Sequence, residues 1–192
     1  MKSKKYYAEQ YEATPRLFGK KGRWVKYDYE YKGDYFRYDI SDEKLLKVRA
    51  IYAAATFACA ALFVAAGLLN TQGTRRLWVA LPYVFMFLPI AFMAYDSVKQ
   101  FSAPRDMTEK DRDSIVSEFS KATLALTILS GVALIGTSVF LLTEKVSELA
   151  IELVFLGFIM IVFALSFALW RYQRSIPVLV TKSQKANTSK KD

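Results

Sequence analysis

Four stretches of this chain contain no charged residue: Ala50–Thr74, Leu77–Tyr95, Ala122–Thr143 and Leu153–Trp170, of 25, 19, 22 and 18 residues. A helix needs about 20 apolar residues to cross roughly 30 Å of hydrocarbon. Four such windows within 192 residues are hard to bury in a water-soluble core. The helices of a soluble bundle would carry a polar stripe, and these carry none. The expected fold is all-α and transmembrane: a four-helix membrane bundle with spans near residues 46–69, 77–98, 112–142 and 150–171. An N-terminal arm (1–45) precedes it and a basic tail (172–192) follows.

Basic residues set the expected orientation. Thirteen Lys and Arg precede the first window, five lie in Lys99–Lys121 and six follow from Arg171, 24 in all, whereas Arg75, Arg76 and Lys145 make three on the other side. Lys and Arg are retained on the cytoplasmic side of short loops. Both termini and the middle loop are therefore expected in the cytoplasm, with Asn70–Arg76 and Glu144–Glu152 outside, in a membrane expected to be a bacterial cytoplasmic membrane. Trp78 and Trp170, at window ends, suit the interface. No basic start leads directly into an apolar run, so the first span is expected to be an uncleaved anchor. The formal charge of +9 then serves topology and anionic lipid, not nucleic acid.

Composition removes several chemistries. The chain has no histidine and one cysteine, Cys59. Histidine-ligated haem, histidine-containing zinc sites, Ser-His-Asp catalysis and an intrachain disulfide are all excluded. Cys59, among alanines in the first span, reads as packing. No cofactor, metal ligand set or catalytic residue is expected.

The flanking segments are more patterned. Ala13-Thr14-Pro15 and Gly19–Gly22 interrupt any helix, and residues 1–22, with Lys2, Lys4 and Lys5 at the start, read as a loosely ordered arm. From Arg23 to Ile40 apolar residues alternate with charge. Val25, Tyr27, Tyr29 and Tyr31 share one strand face, and Phe36, Tyr38 and Ile40 share a second. With Gly33 supplying a positive φ, this predicts a small cytoplasmic β-hairpin. Its tyrosine face, Tyr27, Tyr29 and Tyr31, is expected to pack on protein or lipid headgroups. Ser175–Thr181 could add a third strand, with Pro177 at its start or edge. The slightly favoured alternative rests Ile176–Val180 on the lipid interface. Lys182–Asp192 reads as a disordered tail.

Ser41 suits an N-cap with Asp42 and Glu43 in the first turn. Ala50, Ala54 and Ala58, then Ala61 and Ala65, recur every four residues and mark the first span as the central packing element. Pro82 and Pro89 should bend the second span near Pro89. Interrupted spans can also form transport sites. Thr108 should cap a helix running from 109 to 142. The fourth span is rich in phenylalanine, and Glu144, Glu148 and Glu152 form either an outer acidic patch or a solvated face. The two helical hairpins hint at an internal repeat.

Few residues could carry chemistry. Asp96, beside Tyr95, should pair with Lys99 three residues on, or with Lys47 or Arg49. Asp106, Glu109, Asp111 and Asp113 could attract a cation, but Lys110 and Arg112 among them favour a solvated helix start. The expected function is a non-enzymatic integral membrane subunit or scaffold, contacting membrane lipids and another membrane protein or itself. The alternative is a small oligomeric transporter or channel for a neutral or weakly polar solute, lined by Tyr83, Thr127, Ser130 and Thr137. An interfacial enzyme would need Asp96, Tyr95 and middle-loop acids in one cleft. The residues singled out are Asp96, Tyr95, Pro82, Pro89, Tyr27, Tyr29 and Tyr31.

Overall fold

The computed structural model describes residues 10–18 and 24–181. The basic start at Lys2, Lys4 and Lys5, the Gly19–Gly22 interruption and the Lys182–Asp192 tail lie outside the described residues. In chain order the elements are β1 (Tyr11–Phe18), β2 (Trp24–Tyr31), β3 (Tyr35–Tyr38), α1 (Asp42–Gly67), a 3₁₀ turn (Gly73–Arg75), α2 (Leu77–Phe85) and α3 (Phe87–Ser102). There follow β4 (Asp106–Met107), α4 (Glu109–Arg112), a π turn (Asp113–Ser117), α5 (Glu118–Thr143), α6 (Leu149–Ser175) and β5 (Val178–Thr181). They form two compact units. The helical unit holds Ile40–Ser102 and Ile115–Pro177, and the sheet unit holds the other described residues.

Four helical stretches are long and apolar enough to cross a membrane: Asp42–Gly67, Leu77–Ser102, Glu109–Thr143 and Leu149–Ser175. Only 22% to 33% of each apolar window is buried inside the chain. That much outward apolar surface would aggregate in water and is the natural exterior in lipid. The fold is a four-helix membrane bundle with small antiparallel sheets. Ser41 caps α1 as expected, accepting from the Lys44 N–H at 3.4 Å, with Asp42 and Glu43 in the first turn. Around the bundle α1 packs on α3 and α6, and α5 packs on α2, α3 and α6. Each span thus lies against its sequence neighbours and the first against the last, the up-down-up-down arrangement.

The second span breaks at Met86, between α2 and α3, one turn before Pro89. Proline removes its own N–H and crowds the carbonyl four residues earlier, here that of Phe85, so the helix gives way on the N-terminal side. Pro82 acts differently. It deprives the Trp78 carbonyl of a helical partner, and that carbonyl lies against Gly136 of α5. A β-carbon at Gly136 would come within 3.0 Å of it. The missing side chain lets the two backbones approach. Tyr83 binds α1 by a similar device. Its hydroxyl donates to the Phe63 carbonyl at 2.5 Å, its ring stacks on Phe63 at 4.8 Å, and Gly67 leaves room for the oxygen.

The first span is oriented otherwise than its alanines suggest. Leu45, Val48, Tyr52, Thr56, Cys59 and Ala66 face inward, with Tyr52 stacked on Phe119 at 5.1 Å. Ala50, Ala54 and Ala61 are exposed, and Ala58 and Ala65 are half-buried. The bulky inward row fills the volume between helices, so the small-residue row is turned out. Three hydroxyls of α5 inside the bundle bond to their own helix: Thr127 donates to the Thr123 carbonyl at 2.9 Å, Ser130 to Leu126 at 2.7 Å and Thr137 to Ala133 at 2.8 Å.

The acids around the start of α6 do not form a patch. Glu144 pairs with Arg76, Glu148 is exposed, and Glu152 is buried. One Glu152 oxygen accepts from the Gln72 N–H at 2.5 Å and the Gly73 N–H at 3.1 Å, capping the 3₁₀ turn. The other is buried without a hydrogen-bond partner.

The sheet unit departs from the expected hairpin. The strands at residues 24–31 and 35–38 exist but do not pair with each other. β2 pairs antiparallel with β1, Tyr31 opposite Tyr11 and Trp24 opposite Phe18, although Pro15 falls in β1. The arm expected to be loose over this segment is a strand. A two-stranded ribbon tolerates Pro15 because each strand is an edge. β3 is the centre of a separate sheet of order β4-β3-β5. The run after the last span therefore adds a strand, with Pro177 just before it, in place of the interfacial alternative. Gly33 has no positive φ. It is small because Tyr31 folds over it, where a β-carbon would collide with the ring.

Within this unit Arg37 and Asp106 sit opposite each other on β3 and β4. They form a two-pronged ion pair, Nε to Oδ1 at 2.5 Å and the second nitrogen to Oδ2 at 2.6 Å. The Arg37 hydrogen bond holds the Asp106 carboxyl below the usual carboxylate range. Arg112 lies over the Phe36 ring at 4.2 Å.

Candidate functional site

The residues singled out in the sequence divide between the two units. Asp96, Tyr95, Pro82 and Pro89 belong to the second span. Asp96 is buried, Tyr95 is exposed, and Lys99 stands 3.8 Å from the Asp96 carboxylate and 4.2 Å over the Tyr95 ring. The pairing with Lys99 is the one that i, i+3 spacing predicts. Lys47 pairs with Glu43 on its own helix, and Arg49 reaches the Phe101 carbonyl at 3.5 Å.

A groove of about 620 Å³ opens on the bundle between the second span and α5. Phe85, Leu88, Pro89 and Phe92 form one wall, and Ala122, Ala125 and Leu129 form the other. Tyr95, Asp96, Glu118 and Lys121 gather at one end. The bend ahead of Pro89 shapes the first wall. Pro82 is not among the lining residues. No local spacing connects Glu118 and Lys121 with Asp96, which lies more than 20 residues earlier in the chain. The signal available in retrospect is that both lie within four residues before the charge-free Ala122–Thr143 window, as Asp96 lies directly after another.

The three tyrosines of β2 differ in environment. Tyr27 and Tyr29 are 56% and 70% exposed, so the face expected to pack does not pack within this chain at those positions. Tyr31 alone is embedded. It meets Tyr11 and Tyr35 edge-on at 5.3 and 5.2 Å. Its hydroxyl accepts from the Glu109 N–H at 3.1 Å and donates to the Asp34 carbonyl at 3.1 Å. Burial pushes its phenol above the ordinary value. The middle-loop acids are each engaged. Asp106 holds Arg37, Glu109 accepts from Gln10 at 2.5 Å, Asp111 accepts from the Thr108 hydroxyl at 2.8 Å, and Asp113 holds Arg112 at 2.8 Å. Among the described residues no group of three His, Cys, Asp or Glu side chains could hold a metal ion.

Comparison of the chain with known protein families, curated proteins and solved structures finds no match.

Proposed function

We propose that this chain is a non-enzymatic integral membrane subunit that assembles with a neighbouring membrane span, that of a second copy or of another membrane protein. The outward alanine row of α1 carries the reading. Small residues every four positions let two helix backbones approach closely, and Ala50, Ala54 and Ala61 offer that surface to the outside of the bundle. The transporter or channel alternative has less support. Tyr83, Thr127, Ser130 and Thr137, the hydroxyls meant to line a pathway, each donate to a backbone carbonyl. Purification in mild detergent tests the assignment. The protein is expected to run as a defined assembly larger than its 21.9 kDa chain. Ala54→Leu with Ala61→Leu should weaken that assembly at least tenfold, about 1.4 kcal/mol. A clean monomer, or an assembly indifferent to the substitutions, overturns the proposal.

We further propose that both termini lie in the cytoplasm, on the 24-to-3 division of basic residues. In a Cys59→Ala background, Lys20→Cys and Lys185→Cys should resist an impermeant maleimide in intact cells, while Lys145→Cys should react. External labelling at residue 20 or 185 reverses the orientation.

A further inference from the structure

The groove between the second span and α5 goes beyond the assembly role, because it lies on different helices from the alanine row. Its two walls are equally long. Phe85 to Asp96 on one side and Glu118 to Leu129 on the other are each 11 residues apart, about 16 Å of helix. That is close to the thickness of one leaflet, about half of the roughly 30 Å hydrocarbon core. Because α3 and α5 run in opposite directions, the charged ends of both walls coincide and so do the apolar ends. The groove therefore has the polarity of a single lipid: a leaflet-deep apolar trough with charge at the interface.

The charges select the headgroup. Two carboxylates, Asp96 and Glu118, and one ammonium, Lys121, line the polar end. Asp96 is already beside Lys99, whereas Glu118, the second carboxylate of that end, leaves room for a further cation. An anionic phospholipid would satisfy Lys121 and meet two carboxylates. A headgroup bearing both an amine and a phosphate satisfies all three. A primary amine also donates three hydrogen bonds, which a quaternary ammonium cannot.

We propose that this groove seats one phospholipid with a primary-amine headgroup, its acyl chain along Phe85, Phe92, Ala125 and Leu129 and its ammonium at Asp96 and Glu118, with the phosphate toward Lys121. The test is native mass spectrometry of delipidated protein titrated with phosphatidylethanolamine, phosphatidylcholine or phosphatidylglycerol of matched chains. One equivalent of phosphatidylethanolamine should bind at least tenfold more tightly than either competitor. Glu118→Gln should abolish that preference while leaving apolar binding, and Ala125→Phe should block the trough and weaken all three lipids. Thermal unfolding of each variant without lipid separates a lost site from a damaged bundle, and if Ala125→Phe unfolds early, Glu118→Gln decides. Equal binding of the three lipids, preference for phosphatidylglycerol, or a preference that survives Glu118→Gln overturns the proposal.

Discussion

Glu152→Ala is expected to cost the bundle about 3 kcal/mol of unfolding free energy in detergent. The carboxylate belongs to the first turn of α6, but it serves the loop between the first two spans. One oxygen takes the N–H groups of Gln72 and Gly73 at 2.5 and 3.1 Å. Those are orphan donors at the start of a 3₁₀ turn, and no other part of a short turn can satisfy them. Glu152 is 1% exposed, and a β-carbon at Gly73 would come within 3.0 Å of its second oxygen and 3.2 Å of the Phe140 ring. Alanine at position 152 leaves two donors unmet, each costing about 1–3 kcal/mol where water cannot reach, and a void beside Phe140. Glu152→Gln retains an acceptor and should recover most of the loss. SDS-driven unfolding measures both variants. An Ala variant within about 0.5 kcal/mol of the parent would mean that the Arg76–Glu144 ion pair and the Gln72–Ser147 hydrogen bond hold the loops by themselves.

Tyr31→Ser is expected to open the sheet unit, and Tyr29→Ser is not. The two residues look equivalent in the alternating run, but only Tyr31 is a junction. Its ring joins β1 to the start of β3 through Tyr11 and Tyr35, and its hydroxyl ties the Asp34 carbonyl to the Glu109 N–H. Truncating a half-buried aromatic of this kind costs about 2 kcal/mol, at the low end for core aromatics. Cleavage within residues 24–38 should then rise roughly 30-fold if it follows the open population. Tyr31→Phe keeps the rings and loses the hydroxyl contacts, for about 1 kcal/mol. Tyr27→Ser and Tyr29→Ser, at exposed positions, should stay within about 0.5 kcal/mol. Limited proteolysis of the full chain compares the four variants. Equal acceleration by Tyr29→Ser and Tyr31→Ser would contradict the assigned roles.

These two residues mark where sequence reading stops. The spans were legible because absence of charge over about 20 residues is a local property that the bilayer imposes directly. The cap at Ser41 and the Asp96–Lys99 pairing were legible for the same reason, being contacts within one turn. Strand positions in residues 24–38 were legible from alternation, but their partners were not. Alternation says which face a side chain takes and nothing about which strand lies alongside. β3 pairs with residues 106–107 and 178–181, segments brought back only by the intervening helices. Pro15 concealed β1, since proline argues against a central strand but not against a ribbon edge. The alanine spacing of α1 marks a close-packing row but does not say whether that row takes the inward position. The row of Leu45, Val48, Tyr52, Thr56 and Cys59, at the same helical spacing, holds that position. Glu152 stood in the sequence as one of three similar acids, and its burial is set by a turn 79 residues away. The groove joins residues on two spans, so no single window of sequence could show it.

The claim that α1 meets another protein in the membrane is tested most directly by a photocrosslinking residue placed at position 61 in native membranes, with position 135 of α5 as comparison. Both side chains face outward, since Ala61 is exposed and Ile135 is 66% exposed. Position 61 should give one protein adduct of discrete mass, twice the chain's own or the chain plus one constant partner, and Ala54→Leu should remove it. Position 135 should give lipid adducts only. Lipid adducts alone at position 61, or the same protein adducts from both positions, would contradict the account.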